Sequence, residues 1–264
     1  MASPKIVLVT GGNGGIGYET VKALLQSEKP YHVLLGTRSV EKGKLAIDEL
    51  HKECPGLTNT VDLIQVDLNS DESIEKAFEQ VMASHGYLDI LINNAGATWD
   101  IEFLAGKVTL RECFNKAYDV NVAGTNVMTW TFIPLLLKSA DPRLIFVAGL
   151  SNINQAAESY FPTPSQPAGW PKKIHFETIG YRCSKTALNM LMLDWNHKLK
   201  EDGVKVWAVG PGFLATNLGN MKEKAVEMGC GPASIGGDML KSVVEGKFDA
   251  HVGKLVDKEG PKPF

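Results

Sequence analysis

Four cysteines in 264 residues, Cys54, Cys113, Cys183 and Cys230, lie far apart and form no C-x-x-C pair. That scarcity excludes a disulfide framework and argues against a zinc site, so no metal is expected. No stretch approaches the roughly 20 continuous apolar residues that a membrane span needs, and the opening residues Met1–Lys5 contain no apolar leader core. The net charge is only −3 and the basic residues are scattered, which leaves no electrostatic footprint for nucleic acid. Internal repeats and low-complexity tracts are also absent. These absences lead us to expect a soluble, cytoplasmic protein whose partner is a small molecule. The length suits one large α/β domain over residues 1–264 better than two small ones.

What is present begins with Thr10–Gly17, TGGNGGIG, behind the apolar run Ile6–Val9 and ahead of a helical spacing that starts at Ile16 and includes Val21, Leu24 and Leu25. Strand, glycine turn and helix in this order make a phosphate-binding turn. Gly11, Gly15 and Gly17 divide three uses among them: a sharp turn, close approach of backbone to a pyrophosphate, and tight helix–strand packing. In other surroundings the same glycines would be a plain tight turn.

Strands and helices then alternate. Strands are expected at Tyr31–Gly36, Val61–Val66, Leu88–Ile92, Leu144–Ala148 and Val204–Val209. Helices are expected at Val40–Glu53, from about Asp67–Ser73 to Ser84, at Thr109–Val120 and Asn121–Lys138, and at Tyr181–Lys200. Such βαβ alternation predicts a doubly wound parallel sheet with helices on both faces and a ligand beyond the carboxyl ends of the strands. Residues 151–180 break the rhythm with Pro162, Pro164, Pro167 and Pro171 among Tyr160, Phe161 and Trp170. A long aperiodic segment of this kind is expected to wall or cover a substrate pocket, the alternative being a surface excursion. The Asp257–Phe264 tail, charged and proline-containing, is expected to lie in solvent.

Tyr181-Arg182-Cys183-Ser184-Lys185 puts a phenol and an ammonium four residues apart, on one face of a helix. A neighbouring ammonium favours phenolate and can bring a phenol toward the working range of an acid–base catalyst. The spacing alone also arises by chance in helices.

Together, TGGNGGIG, the Asn93–Gly96 sequence NNAG, Asn121, Tyr181–Lys185 and the Pro211–Thr216 sequence PGFLAT resemble the classical short-chain dehydrogenase/reductase family over nearly the whole chain. The resemblance implies a Rossmann-type sheet of about seven parallel strands, a nicotinamide cofactor and an Asn-Ser-Tyr-Lys catalytic set. By position, Tyr181 is the proton donor to a substrate carbonyl, and Lys185 binds the nicotinamide ribose and lowers the Tyr181 pKa. Asn121 holds a water linking Lys185 to solvent; the plainer reading is an amide bonding the backbone at a helix kink, which is compatible with the first. The cofactor contacts implied are Gly11, Gly15, Ile16 and Gly17 in the first turn, Asp67 and Leu68 near adenine, Asn94, Ala95 and Gly96 beside the adenosine half, and Pro211, Gly212 and Thr216 near the nicotinamide. Where the family closes the fifth strand with a Ser-Ser pair, this chain has Ala148 and Gly149; Ser151, two residues on, fills the role only if the strand end bulges.

After the second strand the chain reads Gly36-Thr37-Arg38-Ser39, without the acid that would bind the ribose of NAD. Arg38 can stack on adenine and pair with a 2′-phosphate, with hydrogen bonds from Asn13 and the Thr37 or Ser39 hydroxyl, so NADP(H) is favoured. The long segment before Tyr181 is similar to that of the carbonyl reductase group. This implies a ketone or aldehyde substrate, with Trp99, Tyr160, Phe161, Trp170 and Phe213 as candidate lining. It favours a monomer and leaves a homo-oligomer open. The expected activity is NADPH-dependent carbonyl reduction, or the reverse alcohol oxidation; the alternative is an NADP(H)-binding sensor or scaffold without turnover.

Overall fold

A computed structural model describes residues 3–148, 153–159, 165–174 and 176–264. The first half is a run of βα units: β1 (Lys5–Thr10), α1 (Gly15–Leu25), β2 (Tyr31–Thr37), α2 (Val40–Glu53), β3 (Thr60–Gln65), α3 (Asp71–Ser84) and β4 (Ile90–Asn93). Helix starts follow from capping chemistry. Ser39 accepts the Lys42 amide at the head of α2, and Ser70 accepts the Ser73 amide at the head of α3. Next come α4 (Asp100–Leu104) and α5 (Leu110–Tyr118), the latter opened by a Thr109/Glu112 capping box. A π-helical turn at Asp119–Gly124 joins α5 to α6 (Thr125–Leu136), so the two expected helices are nearly continuous through a widened turn.

The second half contains β5 (Arg143–Val147), α7 (Ile153–Glu158), α8 (Ile179–Leu199), β6 (Lys205–Val209), β7 (Leu214–Ala215), α9 (Lys222–Glu227), β8 (Gly231–Pro232), α10 (Ser234–Val244), β9 (Leu255–Asp257) and β10 (Gly260–Lys262). The main sheet runs β3-β2-β1-β4-β5-β6-β9-β10. All neighbours up to β9 are parallel, which makes seven parallel strands; β10 adds an antiparallel edge. The order reverses between β1 and β4, and this is where a doubly wound sheet opens its ligand crevice.

The central strands are apolar because both faces are covered. Along β1, Ile6 and Leu8 join a core with Phe132, Phe146 and Trp195, while Val7 and Val9 join a second core with Leu24, Trp207 and Leu240 on the opposite face. In the second layer α10 packs closely on α1 through Gly237, where a Cβ would stand 2.5 Å from the Glu19 carbonyl.

Two expectations need correction. The Asp257–Phe264 tail is not wholly free in solvent: Gly260–Lys262 form β10 and fold back on β9, and Phe264 packs against the core. The segment at 151–180 is also not wholly irregular, since α7 forms within it and α8 begins at Ile179. Among the described residues no helix is long and apolar enough to cross a membrane, and no group of three or more His, Cys, Asp or Glu is placed to hold a metal.

Candidate active site

The glycine turn lies at the carboxyl end of β1. Gly11 and Gly15 take φ of +66° and +54°, which side chains rarely adopt. Gly17 meets the turn so closely that a Cβ there would fall 2.5 Å from Asn94 Nδ2 and nearer still to the Gly11 carbonyl. Gly14, in extended conformation, precedes α1 and offers no side-chain cap to its first amides; a Cβ on it would meet nothing within 4 Å. Open backbone at a helix start suits a pyrophosphate, whose oxygens accept bonds from the unpaired N–H groups. Half-buried Asn13 and Ile16 flank the same turn.

Thr10, buried at the end of β1, organises the neighbouring loop. Its Oγ1 accepts from the amides of Asn94 and Ala95, each at 3.0 Å, and Asn94 Nδ2 donates to the Thr10 carbonyl at 2.9 Å. The NNAG segment is therefore tied to the glycine turn across the switch point. At the end of β2, Arg38 is exposed and Ser39 caps α2, its oxygen accepting from Lys42 while its O–H stays able to donate. Gly12 donates to the Gly36 carbonyl at 2.9 Å, which brings Asn13 and the Arg38 loop to one rim. Asp67 follows β3 and accepts the Asn69 amide, and Leu68 turns its side chain into the core.

Asn121 is buried in the π-helical turn. Its Oδ1 accepts the Ala97 amide at 2.8 Å, and its Nδ2 donates to the Ala97 carbonyl and to Ser184 Oγ, both at 2.9 Å. The side chain is thus the kink amide bonding the backbone. Ser184 donates onward to the Tyr181 carbonyl at 2.7 Å, so Asn121 braces α8 at the turn that carries Tyr181.

Lys185 is buried one turn further along, with Nζ donating to the Val147 carbonyl at 2.8 Å and lying 5.6 Å from the Tyr181 ring centroid. Exposed Gly96 borders this pair; a Cβ there would sit 3.2 Å from Lys185 Nζ. Burial pushes the Lys185 ammonium down to about 8 and pushes the Tyr181 phenol above its ordinary value. Desolvation disfavours charge on both groups.

Beside Tyr181 opens a mostly apolar cleft lined by Ile16, Val147, Ala148, Phe176, Phe213 and Met221, among others. Pro211, Gly212 and Thr216 form its wall next to Ile16, and Gly15 faces Thr216. Of the five aromatic candidates, Phe213 lines the cleft. Trp99 instead packs against the core and Trp170 is 86% exposed, because the proline-rich segment carries it outward. Tyr160, Phe161 and Ser151 lie outside the described residues. Ala148, with no hydroxyl, follows β5 and lines the cleft.

Sequence reasoning missed Phe176 and the methionines Met221 and Met228, which have no motif, and Ser184, which sits inside the Tyr–Lys motif unremarked. It also missed Asp100, a buried acid that no spacing sets apart from a surface residue.

The short chain dehydrogenase family profile matches residues 5–159. The chain is 48% identical to the short-chain dehydrogenase/reductase tropE of Talaromyces stipitatus, over 100% of this chain and 99% of that one. It is 45% identical to the short-chain dehydrogenase/reductase eupG of a Phoma species, over 94% and 93% of the two chains. In structure it resembles an NADPH-bound carbonyl reductase from chicken fatty liver, with TM-score 0.77 and 23% identity over the whole of both chains. A 3-oxoacyl-[acyl-carrier protein] reductase from Brucella melitensis in complex with NAD gives TM-score 0.74 at 22% identity, over 97% and 96%. With a Rossmann-type sheet, these motifs at its crevice and relatives matched end to end, the chain belongs to the short-chain dehydrogenase/reductase family of oxidoreductases, which bind a nicotinamide cofactor.

Proposed function

We propose that this protein is an NADPH-dependent reductase of aldehydes or ketones, working as one catalytic domain over residues 1–264 with residues 151–180 as part of the substrate wall. The observation that carries the reading is the pairing of buried Lys185 with Tyr181 at the mouth of an apolar cleft, next to an open glycine turn. A module that only binds a nucleotide has no chemical need for a proton-handling pair there.

The residues present fit the cofactor. Gly11, Gly15, Ile16 and Gly17 would hold the pyrophosphate, and Asp67, Leu68, Asn94, Ala95 and Gly96 the adenosine half. Pro211, Gly212, Thr216, Tyr181 and Lys185 would hold the nicotinamide end. Exposed Arg38, with Ser39 and Asn13 on the same rim, supports a 2′-phosphate and hence NADP(H). When bound, the reduced nicotinamide supplies hydride to a carbonyl carbon.

The chain's own part is the proton. Tyr181 gives its phenolic proton to the carbonyl oxygen as charge develops there. Lys185, anchored on the Val147 carbonyl, favours the phenolate left behind. Asn121 holds the turn of α8 between them in place through Ser184. The apolar cleft excludes water and takes a bulky or aromatic substrate. Ser151 is the remaining candidate to steady the substrate oxygen.

The test is NADPH oxidation with a panel of aliphatic and aromatic aldehydes and ketones, using wild type and Tyr181→Phe. Turnover that falls by about 10²–10⁴ in the variant while NADPH still binds is the expected result. Tight NADPH binding without wild-type turnover would instead select a non-redox sensor or scaffold, the reading that Ala148 at the end of β5 favours.

A further inference from the structure

We infer that Asp100 is a positioning residue for Tyr181: its buried carboxylate, reaching across from α4, fixes the first turn of α8 and so sets where the phenol stands in the cleft. This rests on the reductase reading for its catalytic consequence, and on the geometry below for the rest.

Asp100 opens a five-residue helix just beyond the NNAG loop and is 1% exposed. A buried carboxylate is costly unless donors surround it. Here Oδ1 accepts the Gly180 amide at 2.8 Å and the Cys113 thiol at 3.7 Å, while Oδ2 accepts the Tyr181 amide at 3.0 Å and the Thr98 hydroxyl at 2.8 Å. Two of these donors belong to the first turn of α8. Its own cap residue, Thr178, makes no side-chain bond to those amides. Glu177 takes the Thr178 and Ile179 amides, and Asp100 takes the next two. The orphan N–H groups of this helix are therefore satisfied largely from an element about 80 residues away in sequence.

Gly180 makes the approach possible. A Cβ there would sit 3.1 Å from Asp100 Oδ1 and 3.0 Å from Cys113 Sγ, so a side chain at this position would push on the carboxylate and the thiol. Thr98, whose hydroxyl bonds the acid, and Ile101, which follows it, line the cleft. One side chain thus joins the substrate wall to the backbone of Tyr181.

Positioning, and not only stability, follows from the separate anchoring of the partners. Lys185 is tied to β5 through the Val147 carbonyl, whereas the Tyr181 amide is tied to α4 through Asp100. Loosening the second tie moves the phenol relative to a lysine that stays in place. A displacement near 1 Å in a reacting group can cost about 10²-fold in rate.

The test uses the full chain with NADPH and 4-nitrobenzaldehyde as the carbonyl probe, comparing Asp100→Asn and Asp100→Ala in wild-type and Tyr181→Phe backgrounds. Asparagine keeps the volume and one acceptor; alanine removes both. We expect kcat to fall about 10- to 100-fold in Asp100→Asn and further in Asp100→Ala, with NADPH affinity, read by nicotinamide fluorescence, within about threefold of wild type. Asp100→Asn added to Tyr181→Phe should cost almost nothing more, because the group it positions is gone. A kcat within about threefold of wild type, or NADPH affinity lost in step with kcat, or additive losses in the double variant, would overturn the inference. If the wild type reduces no panel carbonyl, the reductase reading fails separately. The inference is then read from the ¹³Cζ resonance of Tyr181 in NADPH-bound protein, assigned by its loss in Tyr181→Phe. It should move in Asp100→Asn while the other tyrosine resonances stay; an unmoved resonance overturns it.

Discussion

Gly17→Ala and Gly14→Ala lie three residues apart in one turn and should behave oppositely. At Gly17 the new Cβ would stand 2.5 Å from Asn94 Nδ2 and closer to the Gly11 carbonyl, so the obstruction is largely backbone and cannot swing away. Overpacking of this kind costs about 3 kcal/mol, at the upper end of its range. Alanine recovers about 1 kcal/mol of helix propensity over glycine, leaving a net loss of about 2 kcal/mol. For a chain of this length that lowers the melting temperature by roughly 4–8 °C. At Gly14 the Cβ meets nothing within 4 Å and φ is −172°, extended backbone open to any residue. Gly14→Ala should therefore melt with the wild type. It should still weaken NADPH about tenfold, or about 1.4 kcal/mol, because the added methyl stands where the pyrophosphate would pack. The assays are thermal unfolding by circular dichroism without nucleotide and fluorescence titration with NADPH. Equal melting of Gly17→Ala and wild type would refute the packing argument, and unchanged NADPH affinity in Gly14→Ala would refute the placement of the phosphates.

Because burial brings Lys185 to about 8, kcat/KM for carbonyl reduction should decline as pH rises through about 8, where the ammonium that favours the phenolate is lost; a flat profile from pH 7 to 9.5 refutes this. Arg38→Asp should weaken NADPH by about 10- to 100-fold while changing NADH much less, since it removes a phosphate partner and adds repulsion; equal losses would reject the 2′-phosphate assignment. At the opposite end of the sheet, Arg143 is buried and forms a two-pronged pair with Asp249, at 2.6 and 2.9 Å, while its Nε bonds Asp141. Arg143→Leu should cost about 3 kcal/mol in urea unfolding, the low end for breaking a buried pair, because Lys205 still serves both carboxylates. Burial pushes the Asp141 carboxyl up, but the Lys5 and Lys205 hydrogen bonds and the Arg143 charge outweigh it, and the Arg143 hydrogen bond leads the lowering of Asp249. Depressed carboxylates give stability that is complete above about pH 4 and is lost as pH falls through their folded values, so the variant should begin to unfold in acid at higher pH than wild type; coincident acid transitions would refute it.

The sheet was legible because its signals are local. Ile6–Val9, Val33–Leu35 and Leu144–Ala148 are continuous apolar runs, and burial on both faces demands just that composition. The same holds for Tyr181 and Lys185, whose four-residue spacing on a helix fixes their common face. The region after Val209 was not legible: β7, β8, β9 and β10 have two or three residues each, too few to show a period. Asp100 was hidden for another reason, since its role depends on Gly180 and Tyr181, about 80 positions away, and becomes visible only once α4 and α8 are packed together. Trp170 was misjudged because an apolar ring in a proline-rich segment carries no direction: it turned outward, whereas Phe213, outside that segment, lines the cleft.

The antiparallel strand that ends the sheet has a consequence for self-association. A parallel sheet that stopped at β9 would present a row of unsatisfied amides and carbonyls to any other extended chain. Here β10 takes that outer place with only three residues, and the one opposite Val256 is Pro261, which has no amide hydrogen to offer a further strand. Lys262 beside it adds charge to the rim. Removing this hairpin would leave the site at the crevice chemically complete and yet expose a sticky margin, so such truncations should precipitate before they lose their catalytic groups.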